Sequence, residues 1–423
     1  MSVTIIRSDS KSVTIKIEAE VIIPLGKGML AIEEIIQSSV NHVGLLVTEC
    51  ALCQFDTDGS PISIGGKKFT SKGQISKAYQ TPYGEVTIPR HVYQSNLGGS
   101  TYCPLDDDAR IITGSTPKLA KMVSSKYSES GSRQVQKDLR ENHGRYLSRS
   151  YIQDISHSVG SLIEEKRTWT YATDVPAESV STVGVSLDGT CMLLCGDGYR
   201  QAMVGSISLY DTHGERLYTR YTAFPPEHGK ERFHRSLDNE IKKIRKLYPD
   251  AVYVGIADGA ADNWTFLESR VTEQILDFFH ACEYLSKASK AAFKRPFEAQ
   301  TWYDNARQML KKDEGGAALV IKELENLLKK RMKESQREDV ERSITYFQNH
   351  QHQMGYYRYR KKNWPIGSGV IEAACKVIIK QRLCNSGMKW TDSGAKNVLA
   401  IRCFDKSDGM WEQFWNKIDR YGK

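Results

Sequence analysis

The 423-residue chain has no apolar run of membrane-spanning length, so no bilayer-crossing helix is expected. Met1 to Arg7 lacks the basic flank and apolar core of an export signal, which leads to the expectation of a soluble, intracellular protein. Cysteine is neither abundant nor regularly spaced. The nine cysteines are odd in number and scattered, several in apolar contexts such as those of Cys191, Cys195 and Cys375. That usage argues against a disulfide framework and suits reduced thiols. The most telling shortage is of acid in one window. Between Met354 and Trp390 the only acidic residue is Glu372, set among eight bases: Arg358, Arg360, Lys361, Lys362, Lys376, Lys380, Arg382 and Lys389. The formal net charge of the chain is +8, and this window alone carries +7, so the excess is concentrated. A basic run by itself is commonly a solvated face. A lone carboxylate embedded in one describes a place where a polyanion is gripped and a cation is held against it, and the polyanion that fits is nucleic acid.

The length exceeds what one core supports, so two or three domains are expected. Leu30 to Gln54 reads as a helix through Ile32, Ile35, Ile36, Val40, Val43, Leu46 and Val47. Between Lys77 and Leu105, alternation over Glu85 to Tyr93 and a break at Asn96 to Ser100 predict small antiparallel strands, making 1–112 an α+β domain. Cys50 and Cys53, with Cys103, offer three ligands for zinc; a fourth is not obvious beyond His91, and plain buried cysteines are the competing reading. Three short helices follow within 113–175: Pro117 to Lys126, Ser132 to Asn142, and one capped by Ser148 that buries Ile152, Ile155, Val159 and Leu162. The last leaves Arg149, Ser150, Gln153 and His157 outward. This is helix-turn-helix spacing with a hydrogen-bonding face, although any small helical bundle has the same periodicity.

From Ser181 the pattern changes. Thr182 to Asp188 is a strand ending in an acid, Gly196-Asp197-Gly198 a hairpin turn, and Gln201 to Tyr210 and Arg216 to Thr222 two further antiparallel strands. A helix over Lys230 to Tyr248 precedes the apolar strand Ala251 to Asp258, which also ends in an acid. Asp262 to Arg270 is then helical and Gln274 to Phe279 a strand. Three strands, helix, strand, helix, strand is the order of an RNase H-like core with a mixed five-stranded sheet, expected in 176–295 and completed by 354–423. The charge-rich stretch 296–353 reads as a helical insertion, with Leu319, Leu324, Leu327, Leu328, Met332, Ile344 and Phe347 at helical spacings. Its charges are taken as mostly solvated. Gly369 then opens a helix that places Glu372 in the first turn, where the helix dipole favours an anion.

Phosphodiester chemistry with two divalent ions about 3.5 to 4 Å apart needs oxygen ligands from distant segments. Asp188, Asp258 and Glu372 are the candidates for both catalysis and metal binding. Mg²⁺ is the expected ion, with Mn²⁺ as its substitute, since hard carboxylates suit it and phosphates fill the remaining positions. Each acid alone has a plain explanation, as a turn residue before Gly189 or Gly259 or as a helix N-terminal charge. Their placement on three elements of one strand order favours the site. Asp277 and His280 are candidate supporting residues, with a satisfied core histidine as the alternative; Asp262, beyond the strand, ranks below Asp258. Lys376 and Lys380, four and eight residues after Glu372, share its helix face and become candidate phosphate contacts, against the plainer reading of an intrahelical ion pair. Tyr356, Tyr357, Tyr359, Trp364 and Trp390 interleave with the bases, half as core and half as stacking surfaces for unpaired bases. Arg382, Lys389 and Trp390 complete the expected DNA-contacting set.

The blocks Ser186 to Thr190, Gly255 to Ala260, Asp277 to Leu285, Ile366 to Lys376 and Arg382 to Trp390 resemble those of bacterial insertion-sequence transposases of the ISKra type, and the likeness extends more loosely to Tyr93 and Tyr102 to Asp106. The resemblance implies a DDE transposase with a helical insertion before the last acid, and Asp188, Asp258 and Glu372 as its triad. It implies double-stranded DNA partners, namely element terminal repeats and target DNA. A homo-oligomer acting in the cytoplasm on the nucleoid follows from the need to handle two ends. An RNase H-like nuclease without strand transfer and a domesticated DNA-binding protein are the alternative expectations.

Overall fold

In the computed structural model, which describes residues 2–8 and 12–423, the chain divides into two compact units. The first holds residues up to Trp169 together with Glu412–Lys423, and the second Thr170–Trp411. No helix among the described residues is long and apolar enough to cross a membrane.

In the first unit, β1 (Ser2–Ser8) and β2 (Val13–Glu18) form an antiparallel ribbon, followed by the long α1 (Met29–Cys53). β3 (Ile62–Ile64), β4 (Lys67–Gln80) and β5 (Glu85–Ser95) make a second antiparallel sheet. The alternation read over Glu85 to Tyr93 is real: Val86 and Ile88 face a core with Leu52, Tyr79 and Leu105, while Glu85 and Thr87 face out. α2 (Pro104–Asp108) comes next, then α3 (Pro117–Glu129), α4 (Ser132–His143) and α5 (Arg149–Glu165). α4 ends at Gly144 in the left-handed conformation (φ 61°), and Ser148 caps α5 by accepting the Tyr151 N–H at 3.1 Å. Ile152, Ile155 and Val159 are fully buried, as the periodicity required. His157, like Gln153, is half-buried, and its ring lies edge-on to Tyr127. The piece expected at 1–112 and that expected at 113–175, as far as Trp169, lie in one compact unit. Arg145, buried in the α4–α5 turn, donates to the carbonyl of Thr81 at 3.0 Å and to Gln80 Oε1 at 2.6 Å, tying the helices to the sheet.

The second unit is mixed α/β. β6 (Thr182–Leu194), β7 (Gly198–Tyr210) and β8 (Arg216–Phe224) form an antiparallel meander; α6 (Glu231–Leu247) leads to β9 (Val252–Ala257), and α7 (Ala261–Leu267) to β10 (Glu273–Leu276). The sheet order is β10-β9-β6-β7-β8, with β6, β9 and β10 parallel. β9 is buried along nearly its whole length, as a central parallel strand must be. α6 turns Phe233, Leu237, Ile241 and Ile244 into the core. Two strand ends differ from expectation. β6 runs on past Asp188 to Leu194, because the hairpin with β7 continues after the pairing with β9 stops. β10 ends at Leu276, because Asp277 caps the next helix.

α8 (Phe278–Ala292) is followed by α9 (Pro296–Lys312), α10 (Gly316–Leu327) and α11 (Glu334–His350), which occupy the expected insertion. Their apolar stripes are used: Leu324, Leu327, Val340, Ile344 and Phe347 join the same core cluster as the sheet, although Leu319 is 37% exposed and Leu328 and Met332 only partly buried. α12 (Tyr356–Lys361), α13 (Gly369–Ala374), a π-helical turn over Cys375–Lys380, α14 (Gln381–Leu383) and α15 (Asp392–Lys406) follow, and α16 (Met410–Tyr421) runs into the first unit.

Candidate active site

Strand register brings the first two acids together. The parallel pairing of β6 with β9 ends at Ser186 and Ile256, so Asp188 and Asp258 each lie two residues beyond the last paired position, on adjacent strands. Asp188, still within β6, projects to the same side of the sheet as Ser186, and Asp258 follows directly on the end of β9. The Gln201 amide lies over Gly189, 2.3 Å from where a Cβ would stand, so any side chain there would displace it. Gly259 takes φ +106° in the turn after Asp258, a conformation that disfavours any side chain. Asn263, buried on α7, reaches back with Nδ2 to Asp258 Oδ1 at 3.3 Å and to the carbonyl of Leu187 at 3.4 Å, bridging the two strand ends. Below the turn, the Tyr346 hydroxyl donates to the carbonyl of Asp258 at 3.1 Å, and the Tyr346 ring stacks on Tyr284. The insertion therefore supports the site through α11.

Glu372 arrives from α13, whose residues pack against β6 and β7. Asp188, Glu372, Cys375, Lys376 and Lys380 line one cleft of about 580 Å³. Burial raises the Asp188 carboxyl above its ordinary value, and the neighbouring charges of Asp258 and Glu372 raise it further, against the hydrogen bond from Gly189 N–H. Asp258 and Glu372 are thus both close enough for their charges to act on Asp188. Among the described residues none of the three is ion-paired to a lysine or arginine. The donor set is hard carboxylate oxygen and suits Mg²⁺ or Mn²⁺. The one soft donor nearby, Cys375, stays a thiol: burial and the charge of Asp188 push it up, and its Sγ–H faces Asp188 Oδ2 at 3.6 Å. As the side chains lie, no group of three or more His, Cys, Asp or Glu among the described residues is arranged to hold a metal ion, whether these acids or the cysteines at 50, 53 and 103. His91, the expected fourth zinc ligand, is engaged with Asp56 at 3.0 Å.

Asp277 is fully buried and structural in its contacts. Oδ1 accepts the N–H groups of Phe279 and His280, capping α8, and Oδ2 accepts the N–H of Ser368 at 2.6 Å as well as its hydroxyl. His280 lies edge-on to Tyr284 and Tyr346, with Nδ1 3.7 Å from Glu283, and is not bonded to Asp258. Asp262 is exposed and 3.5 Å from Lys230, apart from the cluster.

Of the expected DNA contacts, Lys376, Lys380 and Lys389 are exposed, as are Arg149 and Ser150, while Gln153 is half-buried. Arg382 is a correction. It is 1% exposed, with its guanidinium over the Trp390 ring at 5.0 Å, and so presents no face to a phosphate. Trp390 is likewise engaged: its indole N–H donates to the Leu383 carbonyl at 2.9 Å, and its backbone pairs with Leu193 and Cys195 at the tip of the β6–β7 hairpin. Tyr356 and Tyr359 are core; Tyr357 and Trp364 stay half-open beneath Lys361 and Lys362. Sequence reasoning missed Asn263, Ser368 and Tyr346. The signal for Ser368 was its position just before a helix carrying an acid; Asn263 and Tyr346 had none, being polar positions on ordinary helices.

No protein-family model matches the chain, and no curated protein matches it.

Proposed function

We propose that this chain is a DNA transposase whose second unit is an RNase H-like core using Asp188, Asp258 and Glu372 on phosphodiester bonds. The observation that carries the reading is the approach of these acids from β6, the end of β9 and α13, with Asp188 raised first by burial and further by the charges of the other two. The antiparallel meander extended by two parallel strands supports the RNase H-like assignment. The three carboxylates would hold Mg²⁺ or Mn²⁺. When bound, such ions supply charge neutralisation at the scissile phosphate and acidify the attacking hydroxyl or water. The chain's own residues do the rest. Register fixes Asp188, Asn263 steadies Asp258, and the exposed Lys376 and Lys380 line the same cleft, where they attract the DNA backbone.

In this reading the α4–turn–α5 segment is a helix-turn-helix that recognises the element's terminal repeats, with Arg149, Ser150 and Gln153 at the start of α5 toward base edges. Hydrolysis at the element end frees a 3′-hydroxyl, which then attacks target DNA, and two ends call for a homo-oligomer on DNA. The test is Asp188→Asn with matched element ends and Mg²⁺. Loss of both cleavage and joining with DNA binding retained is expected, and activity left intact refutes the triad. Cleavage by the wild-type chain without joining points to a nuclease instead.

A further inference from the structure

Between the buried Asp277 and the exposed Glu372 lies a single hydroxyl proton. Ser368 is 5% exposed, and its Oγ is in hydrogen-bonding contact with two carboxylates: Asp277 Oδ2, and Glu372 Oε1 at 2.7 Å. A serine hydroxyl donates one hydrogen, so it serves one carboxylate at a time. The two are not equally dependent on it. Asp277 already accepts three backbone N–H groups, from Phe279, His280 and Ser368 itself. Ser368 Oγ is the one hydrogen-bond partner found for the Glu372 carboxylate among the described residues.

The segment around Ser368 is held from both sides. The Phe278 N–H donates to the Ile366 carbonyl at 2.9 Å, and the Phe279 ring packs so closely on Gly367 that a Cβ there would fall 2.8 Å from it and the ring would have to move. Ser368 is followed directly by α13, so Oγ is fixed relative to the helix that carries Glu372.

We propose that Ser368 is a positioning residue that orients the Glu372 carboxylate toward the cleft, with Asp277 as its buried anchor. The inference rests on the reading of Glu372 as a metal ligand. Asp277 then acts on the site through Ser368, one hydrogen bond removed. Partners of this kind, one bond behind a ligand, are worth about 10- to 100-fold in metal affinity.

The test is a Mn²⁺ titration of the full chain by electron paramagnetic resonance, alongside cleavage as a function of Mn²⁺ concentration. Wild type, Ser368→Ala and the isosteric pair Ser368→Thr and Ser368→Val are compared, with Asp188→Asn as the reference. The expected result is binding weakened about 10-fold or more in Ser368→Ala and Ser368→Val, with cleavage partly recovered at high Mn²⁺ and restored affinity in Ser368→Thr. Should Ser368→Ala fail to fold, the threonine and valine variants, which differ only in the hydroxyl, decide the matter. If Asp188→Asn loses Mn²⁺ binding while the valine variant binds like the threonine one, Ser368 merely packs and the proposal falls alone. Wild-type protein that binds no Mn²⁺ overturns the metal-ligand reading and this one together.

Discussion

Asp277→Ala tests whether the acid that sequence reasoning placed beside the chemistry is instead a structural knot. The side chain is fully buried; Oδ1 takes two backbone N–H groups, and Oδ2 takes the Ser368 N–H and lies against the Ser368 hydroxyl. Truncation removes the cap of α8, a loss of about 1 kcal/mol on its own. It also strips the acceptor from the Ser368 N–H, and a buried donor left without a partner costs about 1–3 kcal/mol. The amides of Phe279 and His280 sit at a helix end where Phe279 is 55% exposed, so water replaces part of what they lose. The total is about 2–4 kcal/mol, and at about 2–4 °C per kcal/mol for a unit of this size the thermal midpoint should fall on the order of 10 °C. Differential scanning calorimetry of the full chain reads this as a shift of one transition, that of the second unit, with the first unit's left in place. Asp277→Asn should fall less than alanine but still below wild type, because its amide keeps one acceptor for the helix end and opposes a second donor to Ser368. A midpoint within about 2 °C of wild type for the alanine variant would refute the bookkeeping.

Asp188→Asn has a pH signature besides its effect on activity. The folded carboxyl titrates above its unfolded value of about 3.9, so its charged form destabilises the folded chain at neutral pH, and folding gains stability as the pH drops through the raised folded value. In chelator-treated protein the asparagine variant should therefore unfold at a higher temperature than wild type near pH 7, with the gap closing on acidification and gone below about pH 4; a gap that widens on acidification contradicts the assignment. Lys376→Ala and Lys380→Ala should each reduce the slope of log affinity against log salt by about 0.9 if each lysine neutralises one phosphate, measured by fluorescence anisotropy on duplex DNA. Unchanged slopes would place both lysines off the DNA path.

Much of the fold was legible because its signals were local and periodic. The apolar stripe of α6, the proline that opens α3, the Ser148 cap and the glycine-flanked hairpin turn are each set by residues within a few positions of one another. Asp188 and Asp258 stood out as candidates because each follows an apolar run and precedes a glycine, and Glu372 because it is the one acid in the basic window. What escaped reading depended on partners distant in sequence. β6 was ended too early because nothing local distinguishes a strand that loses one neighbour from one that stops; its continuation is decided by β7. Arg382 looked like every other base in the window, and only the Trp390 ring folded back over it makes it a core residue. Asp277 gave a strand-end signal and a capping signal at once, and the buried Ser368 amide, 91 residues away, decides for the cap.

The basic window has a local reason not to neutralise its one acid. On a regular α-helix Glu372 and Lys376, four apart and in the favourable order, would be an ion pair worth a few tenths of a kcal/mol. Cys375–Lys380 is instead π-helical, and its wider turn offsets the four-residue ladder. No Glu372–Lys376 pair forms, although both line the same cleft. A carboxylate tied to its own lysine would meet a cation already half-satisfied, and a lysine tied to its own carboxylate would meet a phosphate the same way. The π turn leaves both charges available to outside partners of opposite sign. Under the proposed function that availability would serve metal and polyanion together, while Ser368, on the other side of Glu372, holds the carboxylate by a neutral hydrogen bond and leaves its charge in place.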